Sequence, residues 1–325
     1  MSVLNTLSAL PIQIAPPDIT RWQSGSGGIA YVHERTAAQP GPDVLVTALV
    51  HGNEYSGAIV VAELLATGWQ PARGRVTFAF CNVAAFAKFD AAQPDAARFV
   101  DEDFNRVWSA ARLDGNEQST ELVRARQLRP SVDRATHLLD LHSMHELGDP
   151  LLVTGTLQRN IDFAQALQTE AQAIIDTGHA DGVRMRDYGA FAGASGGQIA
   201  LLLEAGQHWQ ASSVAVARNT LARFLVAAGS LSQLEAEASL PQGWLQPNAA
   251  PPQPVRVLQA VVAQSMDFVF TEALTGGEVI HKAGTVIAHD GGRPVATPHD
   301  NCVLVMPSVR QLRPGVTVVR LGQLI

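Results

Sequence analysis

Seven residues, 44–50, constrain this chain more than any other stretch. Val-Leu-Val-Thr-Ala-Leu-Val puts apolar side chains on both alternating sets of positions. A strand of that kind is buried on both faces, which calls for a mostly parallel sheet with helices above and below it. Strand-like and helix-like segments then alternate along the chain. The runs 28–33, 75–81, 137–141, 151–154 and 198–203 read as strands, and 58–66, 117–127, 161–174 and 212–228 as helices. Gly68 and Gly229 stop the first and the last of these helices. Residues 39–42, with Pro40, Gly41 and Pro42, read as a turn. The expectation is an α/β fold, a mixed and mostly parallel sheet flanked by helices. With 46% hydrophobic and 16% charged residues, the 325-residue chain has the apolar surface such a core needs.

The pattern changes at 240–254, where Pro241, Pro247, Pro251, Pro252 and Pro254 cluster around Gly243 and Asn248. That composition marks a linker. Beyond it, 255–325 holds short Val-rich runs broken by Gly and Pro, and reads as a small β-rich domain. The chain thus divides into a large domain at 1–239, a Pro-rich linker at 240–254 and a small domain at 255–325. The tail is placed to pack on the first domain, to shape a pocket mouth, or to mediate self-association into a homo-oligomer. Cys81 and Cys302 lie too far apart in sequence for a disulfide framework and read as buried thiols in a reducing compartment. A formal charge of −7 argues against a nucleic-acid partner. No window approaches the ~20 apolar residues of a membrane helix, and 1–11 lacks the features of a signal peptide. A cytoplasmic protein with neither nucleic acid nor membrane as partner is expected.

In open α/β sheets, ligand sites lie beyond the carboxyl ends of the strands. Three such ends carry chemistry here. His51-Gly52-Asn53-Glu54 follows the run 44–50, His142 follows 137–141, and Glu204 follows 198–203. Two imidazoles and a carboxylate, from His51, His142 and Glu54, suit a catalytic zinc with a fourth position open to water. Glu204 comes directly after three leucines, where an acid is costly to bury unless paired or used. A carboxylate that does not bind the metal can take a proton from water and deliver it to a leaving nitrogen. Asp140 is either an acceptor behind His142 or a plain buried acid. The polar stretch 90–115 reads as a long loop, and loops of that length are often functional. It carries Arg98 and Asp103-Phe104-Asn105-Arg106. One arginine can grip a substrate carboxylate with two prongs, and a second near the metal can stabilise an oxyanion. Ser143 shows no base and orienter in sequence, and no role falls to His145, His179, His208, His281, His289 or His299. Alone, His51 and Glu54 would read as a helix-capping turn and Arg106 as a surface residue. The combination carries the weight.

His51-Gly52-Asn53-Glu54, Asp103-Phe104-Asn105-Arg106, Asp140-Leu141-His142-Ser143 and Leu203-Glu204, in that order, resemble the succinylglutamate desuccinylase/aspartoacylase family, which is related in fold to the zinc carboxypeptidases. The resemblance implies one Zn2+ per chain held by His51, Glu54 and His142, with Glu204 as general base. It implies that Asn105 and Arg106 hold a substrate carboxylate and that Arg98 polarises the scissile carbonyl. The implied reaction is hydrolysis of the amide of a small N-acyl amino acid. The family's small β-rich C-terminal domain matches the tail in kind. Two departures weigh against N-acetylaspartate and succinylglutamate as substrates. Tyr31, Tyr55 and Tyr188 all precede the linker, whereas aspartoacylase-like members use a tyrosine from the C-terminal domain. No basic residue lies between Arg186 and Glu204, where some members carry an arginine for a second carboxylate. The competing readings are a carboxypeptidase-type peptidase and a zinc-binding protein without catalysis. Glu204 weighs against the second, because a structural site needs no additional acid.

Overall fold

A computed structural model of the chain describes residues 10–179 and 181–325. Seven strands belong to the larger, first part of the chain: β1 (Val32–Thr36), β2 (Gln39–Ala48), β3 (Arg73–Phe80), β4 (His137–Met144), β5 (Leu151–Val153), β6 (Gln172–Ile175) and β7 (Ile199–Gln207). Seven more follow in the tail: β8 (Val255–Val262), β9 (Val269–Phe270), β10 (Val279–Ile280), β11 (Val286–Asp290), β12 (Arg293–Ala296), β13 (Cys302–Val305) and β14 (Thr317–Leu324). Eleven of them form one mixed sheet in the order β1-β3-β2-β4-β7-β5-β6-β8-β14-β13-β10. β3, β2, β4 and β7 run parallel to one another at its centre, as the doubly buried run 44–50 requires.

Alternation along β2 shows why. Val44, Val46 and Ala48 pack on one face with Val60, Leu64, Leu221 and Phe224, from helices Ser56–Ala66 and Ala211–Ala227. Leu45 joins the other face with Leu122, Ala125 and Leu128, from helix Thr120–Arg134. Both faces are dry. The tail is antiparallel, with β8, β14, β13 and β10 paired in series and β12, β11 and β9 forming a separate small sheet. β8 pairs in parallel with β6, so the tail extends the main sheet at its edge. Residues 241–254 form neither helix nor strand, yet Trp244 is buried and Ala249 N–H donates to Gln168 O at 2.9 Å.

Several expected boundaries move. Residues 39–42 belong to β2 instead of a turn, although its register against β3 jumps between Gln39 and Asp43. Pro40 and Pro42 lack the N–H that an unbroken ladder needs. The helix expected over 161–174 is Gln158–Ala166, and 172–175 is β6. Ile174 and Ile175 pair with Val255 and Arg256 of β8, a contact that local periodicity cannot register. β1 begins only at Val32 because Gly27, Gly28 and Tyr31 hold positive φ. Within 90–115, Ala110–Asp114 forms a short helix. Cys81 and Cys302 are buried free thiols. Among the described residues no helix is long and apolar enough to cross a membrane.

Candidate active site

Beyond Ala48, Leu49 adopts φ 58° and swings the chain out of the sheet. Residues 51–54 follow as a tight turn in which Glu54 N–H donates to His51 O at 3.2 Å. Gly52 is needed there, since a Cβ would lie 2.4 Å from Ala97 O and from the Phe86 nitrogen. This approach lets Gly52 N–H donate to Arg98 O at 3.0 Å, tying the turn to the loop that carries Arg98. His142 projects from β4, the neighbour of β2, and the β4–β7 register sets Glu204 opposite it.

Glu54 is the hub. Its Oε1 lies 2.7 Å from His51 Nδ1 and its Oε2 2.9 Å from His142 Nδ1. The far nitrogen of each ring meets another acid: His51 Nε2 is 3.0 Å from Asp103 Oδ1, and His142 Nε2 is 2.9 Å from Asp140 Oδ2. Asp140 in turn accepts from Thr47 Oγ1 at 2.6 Å. Carboxylates placed behind imidazoles in this way fix the tautomer and aim of metal-binding rings. One ligand atom from each of His51, Glu54 and His142 lies within 4.8 Å of the other two, and all three residues are buried. This donor set fits a divalent ion that takes nitrogen and oxygen ligands. Burial would raise the Glu54 carboxyl, but the His51 and His142 rings hold it well below the usual carboxylate range. Glu204 differs. Burial first, and then the charge of Glu54, push it up to about 8. Its Oε2 accepts no hydrogen bond from any described group.

The loop is fastened from beneath by Glu121, fully buried near the start of helix Thr120–Arg134. Its carboxylate accepts from the N–H groups of Val100 (2.7 Å), Asp101 (3.1 Å) and Glu102 (3.3 Å) and from Asn82 Nδ2 (2.9 Å). Held in this way, Arg98 donates to Glu54 Oε1 and to Asp103 Oδ2, each at 3.1 Å. Asn105 Oδ1 accepts from Met185 N–H at 2.9 Å, and Arg106 donates through Nε to Asp181 Oδ1 at 3.1 Å. His51, Glu54, Arg98, Asn105, Arg106, His142 and Glu204 all line one cavity of about 340 Å³.

Residues 40–228, more than half of the chain, match the model of the succinylglutamate desuccinylase/aspartoacylase catalytic domain. The chain belongs to that family. A probable aspartoacylase of Parasynechococcus marenigrum (strain WH8102) is 35% identical over 134 residues, which is 39% of this chain and 42% of that protein. The chain thus matches about two-fifths of the length of this curated relative. A solved succinylglutamate desuccinylase/aspartoacylase from Rhodobacter sphaeroides superposes with a TM-score of 0.65 at 19% identity, covering 96% of this chain and 93% of that one. For succinylglutamate desuccinylase from Vibrio parahaemolyticus the values are 0.61 and 19%, covering 91% and 86%. Such likeness extends the shared fold through the β-rich tail.

Other residues at this desuccinylase/aspartoacylase-type cavity carried no role in the sequence reading. His179, Asp176, Arg184 and Arg320 line the wall beyond β6, and Arg320 arrives from β14. A single arginine among the buried Val318, Val319 and Leu321 was the one local sign of it. Ser143 has a histidine after all. Its Oγ lies 2.8 Å from His208 Nδ1, and His208 Nε2 lies 3.1 Å from His145 Nδ1. That pairing joins positions 65 apart in sequence, so no local motif announces it.

Proposed function

We propose that the chain is a zinc-dependent deacylase that hydrolyses the amide of a small N-acyl amino acid. One observation carries this reading. An unsatisfied buried carboxylate, Glu204, stands on the strand beside a three-donor cluster that fits a metal ion. A purely structural metal site has no use for that acid. Zn2+ held by His51, Glu54 and His142 would supply Lewis acidity and lower the pKa of water. Every other part falls to the chain. Asn105 and Arg106 orient the substrate through its carboxylate, and Arg98 faces the amide oxygen, where negative charge develops. Glu204 takes a proton from the attacking water and returns it to the departing amine nitrogen. Residues 1–239 are assigned to catalysis, 240–254 to the connection, and 255–325 to a small module that closes the cavity. The family's deacylases and a cavity of about 340 Å³ both support a small substrate over a polypeptide.

The test is release of free amino acid from a panel of N-acyl amino acids by the zinc-supplied protein, read by mass spectrometry. Glu204→Gln should keep its zinc, measured by metal analysis, and lose roughly 10²–10⁴-fold in turnover, the usual worth of a general acid–base. Unchanged turnover in that variant would remove the assigned role.

A further inference from the structure

The part of the cavity wall that carries Arg106, Arg184 and Arg320 holds an imbalance of charge. Asp176, just past β6, takes Arg184 through bonds of 2.8 and 3.1 Å. Arg184 and Arg186 share Asp187, and Arg106 takes Asp181. Arg320 is left with the already engaged Asp176, 3.7 Å from its Nε, and with His179, whose Nε2 lies 2.8 Å from its Nη2. Burial, and then Arg320 and Arg106, push His179 down to about 2, so this ring accepts as a neutral base and adds no charge. Of the guanidinium groups lining the cavity here, Arg184 and Arg106 each hydrogen-bond a carboxylate, Asp176 and Asp181, whereas Arg320 has none to itself. This cation lies in a largely buried wall that opens on the cavity. A charge so placed is costly unless an anion completes it. A guanidinium meets a carboxylate in a two-pronged geometry.

The floor between this wall and Glu204 has a different character. Register sets Leu151 opposite Glu204, Val153 opposite Leu202, and Val153 beside Ile174. Leu151, Val153, Ile174 and Leu202 all line the cavity. The strand order β7-β5-β6-β8-β14 places this apolar strip between the Glu204 strand and the Arg320 strand. An apolar strip favours an uncharged substituent.

We infer that Arg320 is a specificity-determining residue: with Arg106 it receives the single carboxylate of an acyl amino acid whose apolar substituent lies on the floor of Leu151, Val153, Ile174 and Leu202. The assignment rests on the deacylase reading above and deepens it. The apolar substituent is either the amino-acid side chain or the acyl chain.

Binding is measured by calorimetry on the full, zinc-supplied chain carrying Glu204→Gln, so that nothing turns over. The probes are N-acetyl-leucine and N-hexanoyl-alanine, the carboxamide of each, N-acetyl-alanine and N-acetylaspartate. Each carboxylate is expected to bind at least tenfold more tightly than its carboxamide. Adding Arg320→Gln is expected to reduce that preference at least tenfold, while Arg320→Lys retains part of it. Tighter binding of the leucine probe than of N-acetyl-alanine places the side chain on the floor, and tighter binding of the hexanoyl probe places the acyl chain there. A preference unchanged in a folded Arg320→Gln protein overturns the assignment, as does tightest binding of N-acetylaspartate or no binding of any probe. Should Arg320→Gln unfold, Arg320→Lys carries the test: it keeps the charge and loses the fork, so a threefold fall supports the assignment and an unchanged preference overturns it. Binding with the expected preference but no turnover by the unsubstituted chain would sink the deacylase reading alone. Turnover with a preference indifferent to Arg320 would sink this assignment alone.

Discussion

Glu204 follows Leu201, Leu202 and Leu203 along β7, and all four are buried. Burial and the nearby Glu54 raise its carboxyl to about 8, above an unfolded value near ~4.3. A raised acid stabilises the fold fully below its unfolded pKa, and that contribution is lost as the pH climbs through the folded value. In the metal-free protein, the loss runs from about pH 4.3 to about pH 8. Glu204→Gln, neutral throughout, should therefore gain in melting temperature relative to the parent chain across that window. Parallel curves for the two proteins would show that Glu204 is not held protonated by its surroundings. The Ser143 hydroxyl meets the ring of His208, but behind that ring stands His145, not a carboxylate that would orient a base. Ser143→Ala is accordingly expected to retain turnover within about tenfold, since catalysis is assigned to Glu204 and water. A loss of several thousandfold would point to a serine nucleophile.

Among the elements, the loop bearing Arg98 and Asp103 depends on an acid outside the cavity. Glu121 satisfies three consecutive backbone N–H groups of that loop from the buried start of its helix. Glu121→Ala leaves those donors without their acceptor, a loss on the order of 3 kcal/mol for charge-assisted bonds. The expected result is a lower melting temperature together with reduced turnover, because Arg98 and Asp103 lose their anchor. Turnover and stability both at parent level would show that the loop holds its place without Glu121. β6 teaches the opposite lesson about reading elements from sequence. Its apolar residues fit a continued helix locally, and only pairing with β5 and β8 makes them a strand. Residues 44–48 met no such ambiguity, because apolar side chains on both faces have one stable destination, although Leu49 and Val50 of the expected strand lie beyond its end.

For the whole molecule, the tail is part of the cavity. β8 joins β6, β14 joins β8, and Arg320, Thr317 and Met306 reach the space beside Glu204. An ion at His51, Glu54 and His142 would bind only the folded arrangement, because the fold alone brings His142 of β4 to the His51–Glu54 turn, 88 residues from Glu54 in sequence. Removing metal with a chelator should therefore lower the melting temperature, and zinc should restore it. At a free metal concentration a thousandfold above Kd, the difference corresponds to about 4 kcal/mol. Glu54→Ala should abolish the response to zinc. A melting temperature indifferent to chelator and zinc would argue against the metal site.

The sequence by itself determined the α/β class, the β-rich tail and the residues His51, Glu54, Arg98, Asn105, Arg106, His142 and Glu204, which all reach one cavity. Each of these was legible because its signal is local: a doubly apolar strand, Val-rich runs broken by Gly and Pro, a polar residue at a strand end, or, for Arg98, Asn105 and Arg106, a short motif in the polar loop 90–115 whose roles the family resemblance implies. Tertiary structure alone decided that Asp140 and Asp103 stand behind the two imidazoles, that Ser143 meets His208, and that Arg320 crosses from the last strand to share Asp176. The reason is physical. These contacts are fixed by which strands neighbour one another and in what register, and a side chain's own neighbours along the chain carry no record of that order.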